Sequence, residues 1–225
     1  MTTFPGRPDP EAGSVLVLGN GSFPSRSRLA PFLRSSLLTV ACDGAADKAL
    51  KAGIVPDVLI GDLDSASPAA KKKVRRVVAV ADQDSTDLDK ALDWLTANGF
   101  AKARIVLAGF TGGRSDFTLY NIHRLRRYGR LDLVMIDDLF TVFAARSGTA
   151  VPGLEKGTLV SLVPVLRSAG VTTTGLKWNL KNAVLEPGGL ESASNRASAA
   201  TVRVTYRGGF LLWFVGAESV SKTAR

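Results

Sequence analysis

Before about residue 138, apolar runs of strand length end again and again in glycine or aspartate, and most of these endings lead into a helical pattern. "SVLVLGNGS", "LLTVACDGAADKALKAG", "PDVLIGDLDS", "VRRVVAVADQDSTDLDKALDWLTANG" and "ARIVLAGFTGGRSDFTLYNIHRLRRYG" follow one another in that rhythm. Strands that alternate with helices predict a parallel sheet with helices on its faces, a Rossmann-like three-layer α/β domain. In the fourth segment Leu88, Ala91, Leu92 and Leu95 recur at helical spacing. Thr86 and Asp89 predict a capping box there, and Gly99 a stop.

The rhythm then changes. "FTVFAARSG", "GTLVSLVPV", "VTTTGLKWNL", "ATVRVTYRGG" and "FLLWFVG" are short, β-rich and separated by Gly, Ser and Pro. They predict a small all-β domain, a sandwich or barrel. The expected organisation is a disordered polar leader over 1–13, an α/β domain over 14–138 and a β-sandwich over 139–225. A chain of 225 residues, 45% hydrophobic, is long enough for two such cores.

Composition narrows the chemistry. The single cysteine, Cys42, excludes an internal disulfide and a cysteine-built zinc site, and a buried packing role is expected for it. The single histidine, His123, lies in a helical stretch where it reads as structural, which removes most Ser-His-Asp designs and every multi-histidine metal site. Trp94 and Trp213 are expected in the core. No apolar run is long enough to cross a bilayer, and the N-terminus lacks the regions of a signal peptide, so a cytoplasmic setting is expected. The net charge of +9 suits nucleic acid, a membrane surface or a polyanionic small substrate such as ATP. The basic residues are scattered and do not interleave with stacking aromatics, so neither nucleic acid nor membrane is the expected partner.

The acids are not scattered. Ten of the twenty fall between Asp43 and Asp93, and all ten are aspartate. In an open parallel sheet, ligands bind beyond the carboxyl ends of the strands. At those ends stand Asn20; Asp43; Asp62 and Asp64; Asp82, Gln83, Asp84, Thr86 and Asp87; and Gly112, Gly113, Arg114 and Asp116. One aspartate before a helix is usually a cap. Several converging carboxylates repel one another, and a divalent cation is their natural partner. Mg²⁺ takes oxygen ligands and keeps phosphate oxygens in its shell. Arg114, after paired glycines whose amides could approach an anion, suits a phosphate. If the chain stays extended, alternation would put Asp62 and Asp64 on one side of the end of the "PDVLIG" strand, where both could reach one ion. The implied chemistry is metal-assisted phosphoryl or diphosphoryl transfer. No Walker sequence, dinucleotide fingerprint or protein-kinase signature is present.

As an ordered set, "GDLDS", "DQDSTDLDKAL", "GGRSD" and "TTTGLKWNL…SNR" resemble the thiamine pyrophosphokinase family over about Val15 to Phe214. The resemblance implies an α/β domain followed by a β-sandwich. It also implies transfer of a diphosphate from ATP to the hydroxyl of thiamine, giving thiamine diphosphate and AMP. It makes Asp62, Asp64 and Asp87 Mg²⁺ ligands, with Asp43 beside them, and Arg114 the ATP phosphate holder, with Asp116 either orienting it or capping its helix. Asn20, Asp43, Gln83, Asp84, Thr86 and Gly113 would complete the nucleotide side. Trp178, Ser194 and Asn195 match the thiamine-binding segment, and a homodimer with an active site shared between subunits is implied as well. An aromatic face such as Trp178 attracts a cationic thiazolium, contributing about 1–2 kcal/mol when desolvated. Many bacterial members have His where this chain has Phe117, so the chemistry is not expected to need a histidine base. A related diphosphokinase acting on another hydroxymethyl heterocycle, such as a pterin, is the alternative.

Overall fold

The computed structural model describes residues 13–217. The expected leader over 1–13 lies, but for Gly13, outside the described residues. The chain divides between Asp137 and Asp138 into two compact units.

The first unit runs β1 (Ser14–Leu18), α1 (Arg26–Ser35), β2 (Ser36–Cys42), α2 (Ala45–Lys51), β3 (Val58–Gly61), α3 (Pro68–Lys73), β4 (Arg76–Ala79), α4 (Asp87–Leu95), β5 (Arg104–Ala108), α5 (Ser115–Arg127) and β6 (Asp132–Ile136). Its strands lie in the order β6-β5-β1-β2-β3-β4 and every pair is parallel. β1 and β5 are buried almost throughout, as strands covered on both faces must be. From β1 the chain winds outward through β2, β3 and β4, then returns to place β5 on β1's other side. The crevice beyond the carboxyl ends of β1 and β5 is therefore the topological switch point, where such sheets bind ligands.

α4 begins with the capping box: the Thr86 side chain accepts from the Asp89 amide, and the Asp89 carboxylate accepts from the Thr86 amide. Leu88, Ala91, Leu92 and Leu95 are all buried. The helix loosens into a single π-turn over 96–100, in which Gly99 takes a left-handed φ of +91°. Trp94 departs from expectation. It is half-buried, with the Arg76 guanidinium 5.2 Å from its ring, because position 94 falls outside the apolar stripe that faces the sheet. Trp213 is fully buried as expected.

The second unit contains β7 (Phe140–Ala144), β8 (Thr149–Val151), β9 (Leu159–Leu166), β10 (Ser168–Thr174), β11 (Ala183–Leu185), β12 (Ser192–Arg196), β13 (Val202–Arg207) and β14 (Phe210–Gly216). β12-β9-β14-β7 and β11-β10-β13-β8 are antiparallel arrays, a sandwich-like arrangement. The stretch read as one strand, "VTTTGLKWNL", is strand only as far as Thr174. Gly175, at a φ of +82°, turns the chain, and Trp178 stands on the loop beyond.

Candidate active site

A cavity of about 440 Å³ opens at the switch point of the α/β unit. Asp43, Asp62, Asp64, Asp87, Asn20, Thr86, Gly113 and Arg114 all line it. Gln83, Asp84 and Asp116 were expected nearby and do not line it directly, although Gln83 Nε2 donates to Asp62 Oδ2 at 3.4 Å. His123 is exposed on α5 and does not line it either.

The acidic centre is built by turns. Asp43 takes a left-handed φ of +42° after β2, which turns its carboxylate toward the loop after β3. There it accepts the amides of Ser65 and Ala66, each at 3.1 Å. Asp47 of α2 accepts both the amide and the hydroxyl of Ser67, the residue that caps α3. The second half of the loop 62–67 is thus held by carboxylates from the end of β2 and the first turn of α2. In the first half the chain does not stay extended: Leu63 takes a φ of +69°, costly for a bulky side chain, and Lys71 Nζ holds its carbonyl at 2.8 Å. Asp62 and Asp64 therefore converge by a tight turn, with the Asp64 amide donating to Asp62 Oδ1 at 3.3 Å, and not by strand alternation. One carboxylate oxygen from each of Asp43, Asp62 and Asp64 lies within 4.8 Å of the others. Three hard oxygen donors at that spacing fit Mg²⁺.

Gly61 is the residue that lets these carboxylates meet. A Cβ there would lie 2.9 Å from Asp43 Cβ and 3.1 Å from Asp87 Oδ1, on a backbone at φ +154°. Gly61→Ala is expected to destabilise the protein by about 1–3 kcal/mol. It should also weaken Mg²⁺ binding more than any loss of fold explains, which thermal melts and calorimetric titration together would show.

Asp87 enters from the first turn of α4. Burial pushes its carboxyl above its ordinary value, against the pull of Lys90. Burial likewise raises Asp43, whereas the Asp64 amide holds Asp62 below the usual carboxylate range. Lys90 is a charged residue beside the acidic centre that the residue-type reading overlooked. Its side chain is 3% exposed, and its Nζ lies 3.4 Å from Asp87 Oδ1 and 3.8 Å from Asp62 Oδ2. The signal was present, since a lysine three residues after an aspartate shares its helix face. Cys42 is buried as expected. Its thiol, pushed up by burial and by Asp87 and Asp43, donates to the Asp87 carbonyl at 3.5 Å and is no nucleophile.

The opposite wall comes from the β5–α5 turn. Gly112 and Gly113 both take left-handed φ, +74° and +72°, and swing Arg114 to the cavity. Asp116 orients it with a two-pronged pair, Nε to Oδ1 at 3.1 Å and Nη2 to Oδ2 at 2.6 Å. The Phe117 ring lies 4.4 Å beneath the guanidinium and also lines the cavity. Asn121, a second residue that the sequence reading overlooked, is buried and donates to the Phe110 carbonyl at 3.0 Å. Its spacing of four from Phe117 puts both on one helix face.

The remaining three candidates belong to the sandwich unit. Trp178 is 55% exposed, with Lys177 Nζ 4.4 Å from its ring centroid, so its face already attracts a cation. Asn195 is buried and clamps the Trp178 backbone: Oδ1 accepts its amide at 3.2 Å and Nδ2 donates to its carbonyl at 2.7 Å. Exposed Ser194 takes a left-handed φ of +54°, and its amide donates to Ser161 Oγ at 3.0 Å.

A doubly wound sheet with clustered carboxylates facing an arginine on a glycine turn defines a phosphotransferase-type α/β site. The comparisons are more specific. The family described as "Thiamin pyrophosphokinase, catalytic domain" matches residues 29–135, and "Thiamin pyrophosphokinase, vitamin B1 binding domain" matches 150–211. Thiamine pyrophosphokinase 1 of Oryza sativa subsp. japonica is 32% identical over 88% of this chain and 85% of its own. The solved thiamin pyrophosphokinase of Geobacillus thermodenitrificans aligns at a TM-score of 0.73 and 26% identity, covering 91% of this chain and 98% of its own. A thiamin pyrophosphokinase family protein of Enterococcus faecalis aligns at a TM-score of 0.78 and 19% identity, covering 91% and 99%, and so speaks for the fold. The chain belongs to the thiamine pyrophosphokinase family.

Proposed function

We infer that this protein transfers a diphosphate group from ATP to the hydroxyl of thiamine, giving thiamine diphosphate and AMP. The observation that carries this reading is the meeting of Asp43, Asp62 and Asp64 in one cavity that Arg114 also lines, in a chain whose residues 150–211 match a vitamin B1 binding domain. Both matched families are thiamin pyrophosphokinase domains, so the pterin alternative has no counterpart among the comparisons.

The thiamine hydroxyl oxygen attacks the β-phosphorus, forming a P–O bond as the bridge from the α- to the β-phosphate breaks and its oxygen leaves with AMP. Asp43, Asp62 and Asp64 would hold Mg²⁺, with Asp87 facing the same cavity. Bound there, Mg²⁺ would supply positive charge against the phosphate oxygens. Arg114, held by Asp116 and Phe117, presents two N–H groups to the phosphates. Asp87, whose proton affinity is raised by burial, is placed to receive the hydroxyl proton. Asn20 and Thr86 line the nucleotide side, and Gln83 supports Asp62 from outside the cavity wall. Such a displacement depends mainly on positioning and charge. On the acceptor side Trp178 takes the thiazolium, displacing Lys177 from its face, with Asn195 holding the loop and Ser194 beside it.

The reading includes a homodimer, in which the α/β unit of one copy and the sandwich of the other share a site, and a cytoplasmic setting. No helix among the described residues is long and apolar enough to cross a membrane. Light scattering on the purified protein would give the mass of two chains.

Mass spectrometry after mixing protein, ATP, thiamine and Mg²⁺ tests the function. Thiamine diphosphate and AMP should form in equal amounts. ADP in place of AMP, or turnover of a hydroxymethyl pterin in preference to thiamine, would overturn it. Trp178→Ala is expected to raise KM for thiamine about tenfold while leaving KM for ATP unchanged, the size of one lost cation–π contact.

A further inference from the structure

Asp89 is a carboxylate that the chemistry above does not use. It is 3% exposed, unusual for a helix N3 residue, whose capping role can be met at the surface. On its own helix it accepts the Thr86 amide at 3.2 Å and the Thr86 hydroxyl at 2.8 Å. Its other partners all come from α5. Tyr120 Oη and Arg124 Nε donate to Oδ2 at 3.0 and 3.2 Å, while Oδ1 accepts no hydrogen bond and is met only as an ion pair, by Arg124 Nε at 3.0 Å and Arg127 Nε at 3.8 Å. The Arg124 guanidinium is itself stacked 3.6 Å from the Tyr120 ring, so the donors are held before the carboxylate meets them. Four donor contacts on Oδ2 and the guanidinium contacts on Oδ1 make this carboxylate a fixed point and not a loose surface pair.

What it joins is the two halves of the cavity. α4 brings Thr86, Asp87 and Leu88 to the wall from its first turn, and Lys90 behind them. α5 brings Phe117 and Asn121 from its first two turns, with Arg114 as its cap residue. We propose that Asp89 is a positioning residue which, through Tyr120 and Arg124, sets the distance between the Asp87–Lys90 wall and the Arg114 wall. It does not touch substrate. One triphosphate has to meet both walls at once, and a displacement of about 1 Å at reacting groups can cost a hundredfold in rate. The proposal rests on the functional reading above, since it assumes that both walls hold the same nucleotide.

The test is steady-state turnover by the full chain, well below each variant's melting temperature. Asp89→Asn keeps the shape and a capping oxygen but removes the charge that Arg124 meets. It is expected to lower kcat about ten- to a hundredfold and to raise KM for ATP, with KM for thiamine unchanged. Tyr120→Phe removes one donor and leaves the ion pair. It should lower kcat about two- to fivefold in the same pattern. In an Arg114→Ala background the Asp89→Asn factor should shrink, because the two act on one geometry. A folded Asp89→Asn enzyme with wild-type kinetics overturns the proposal, as does an unchanged factor in the Arg114→Ala background. Should Asp89→Asn fail to fold, a Tyr120→Phe enzyme with wild-type kinetics overturns it instead. Wild-type protein that makes no AMP from ATP and thiamine defeats the functional reading, a result distinct from all of these.

Discussion

Asp64→Asn is expected to lower turnover by about a thousandfold or more while the fold survives. Asp64 is one of the three carboxylates whose oxygens lie within 4.8 Å of one another, and the substitution leaves a neutral amide in place of a third of that negative charge. Its other contact is a 2.8 Å bond from the neighbouring Ser65 hydroxyl, and the residue is exposed. An exposed, isosteric change of this kind shifts stability by about 0.5 kcal/mol or less. Asp43→Asn offers the contrast. Asp43 is buried and receives the Ser65 and Ala66 amides that fix the loop, so the same chemical change there should cost stability as well as rate. Paired melts and AMP release separate the two cases. Asp64→Asn turning over at near wild-type rate would remove the metal from this site, and the site would then have to be argued from Arg114 alone.

The sequence carried the order of the elements and the identity of the site residues better than it carried their geometry. Strands whose ends are marked by Asp and Gly were legible because two-sided burial writes itself as unbroken apolar runs, as in "VLVL" and "IVLA". α4 was legible from its stripe and its Thr86–Asp89 box. α1 and α3 carry no such signal: α1 contains Pro31, and α3 is a six-residue helix of one apolar side. Asp62 and Asp64 stood out as a pair, yet the period-two argument for their convergence fails at Leu63, whose left-handed backbone no residue preference announces. Trp94 was misplaced for the opposite reason: a large aromatic invites burial, and helix phase decides otherwise. Lys90 and Asp89 sat inside a motif already noticed. Their meaning lies in partners from distant turns, Asp62 for one and Tyr120 with Arg124 for the other, and such partners do not show in local spacing.

Lys90→Met is the second large expectation, and it separates charge from shape. Methionine fills much the same volume along the same apolar path, but it takes a cation away from Asp87 and Asp62. In the metal-free protein Lys90 offsets repulsion among four carboxylates lining one cavity. Breaking a fully buried pair costs about 3–5 kcal/mol. Here Asp87 and Asp62 keep 35% and 24% of their side-chain surface, so water screens part of the loss and about 1–3 kcal/mol is expected. The deficit should have a sign in pH. Burial already raises Asp87 and Lys90 draws it down, so the variant's Asp87 lies further above its ordinary value. The cost of keeping it ionised is then largest at neutral pH and above, and it fades as pH falls through that raised value and the carboxyl takes up its proton. Mg²⁺ should restore the missing positive charge, raising the variant's melting temperature more than the wild type's. If the proposed phosphate chemistry takes place at this site, turnover should still fall about a hundredfold even with Mg²⁺ saturating, because a fixed cation beside Asp87 and Asp62 would add to the preorganised field there. If Mg²⁺ stabilises both proteins equally, Lys90 does not share a charge balance with the acidic centre. If the variant turns over at the wild-type rate once folded, its lysine serves packing alone.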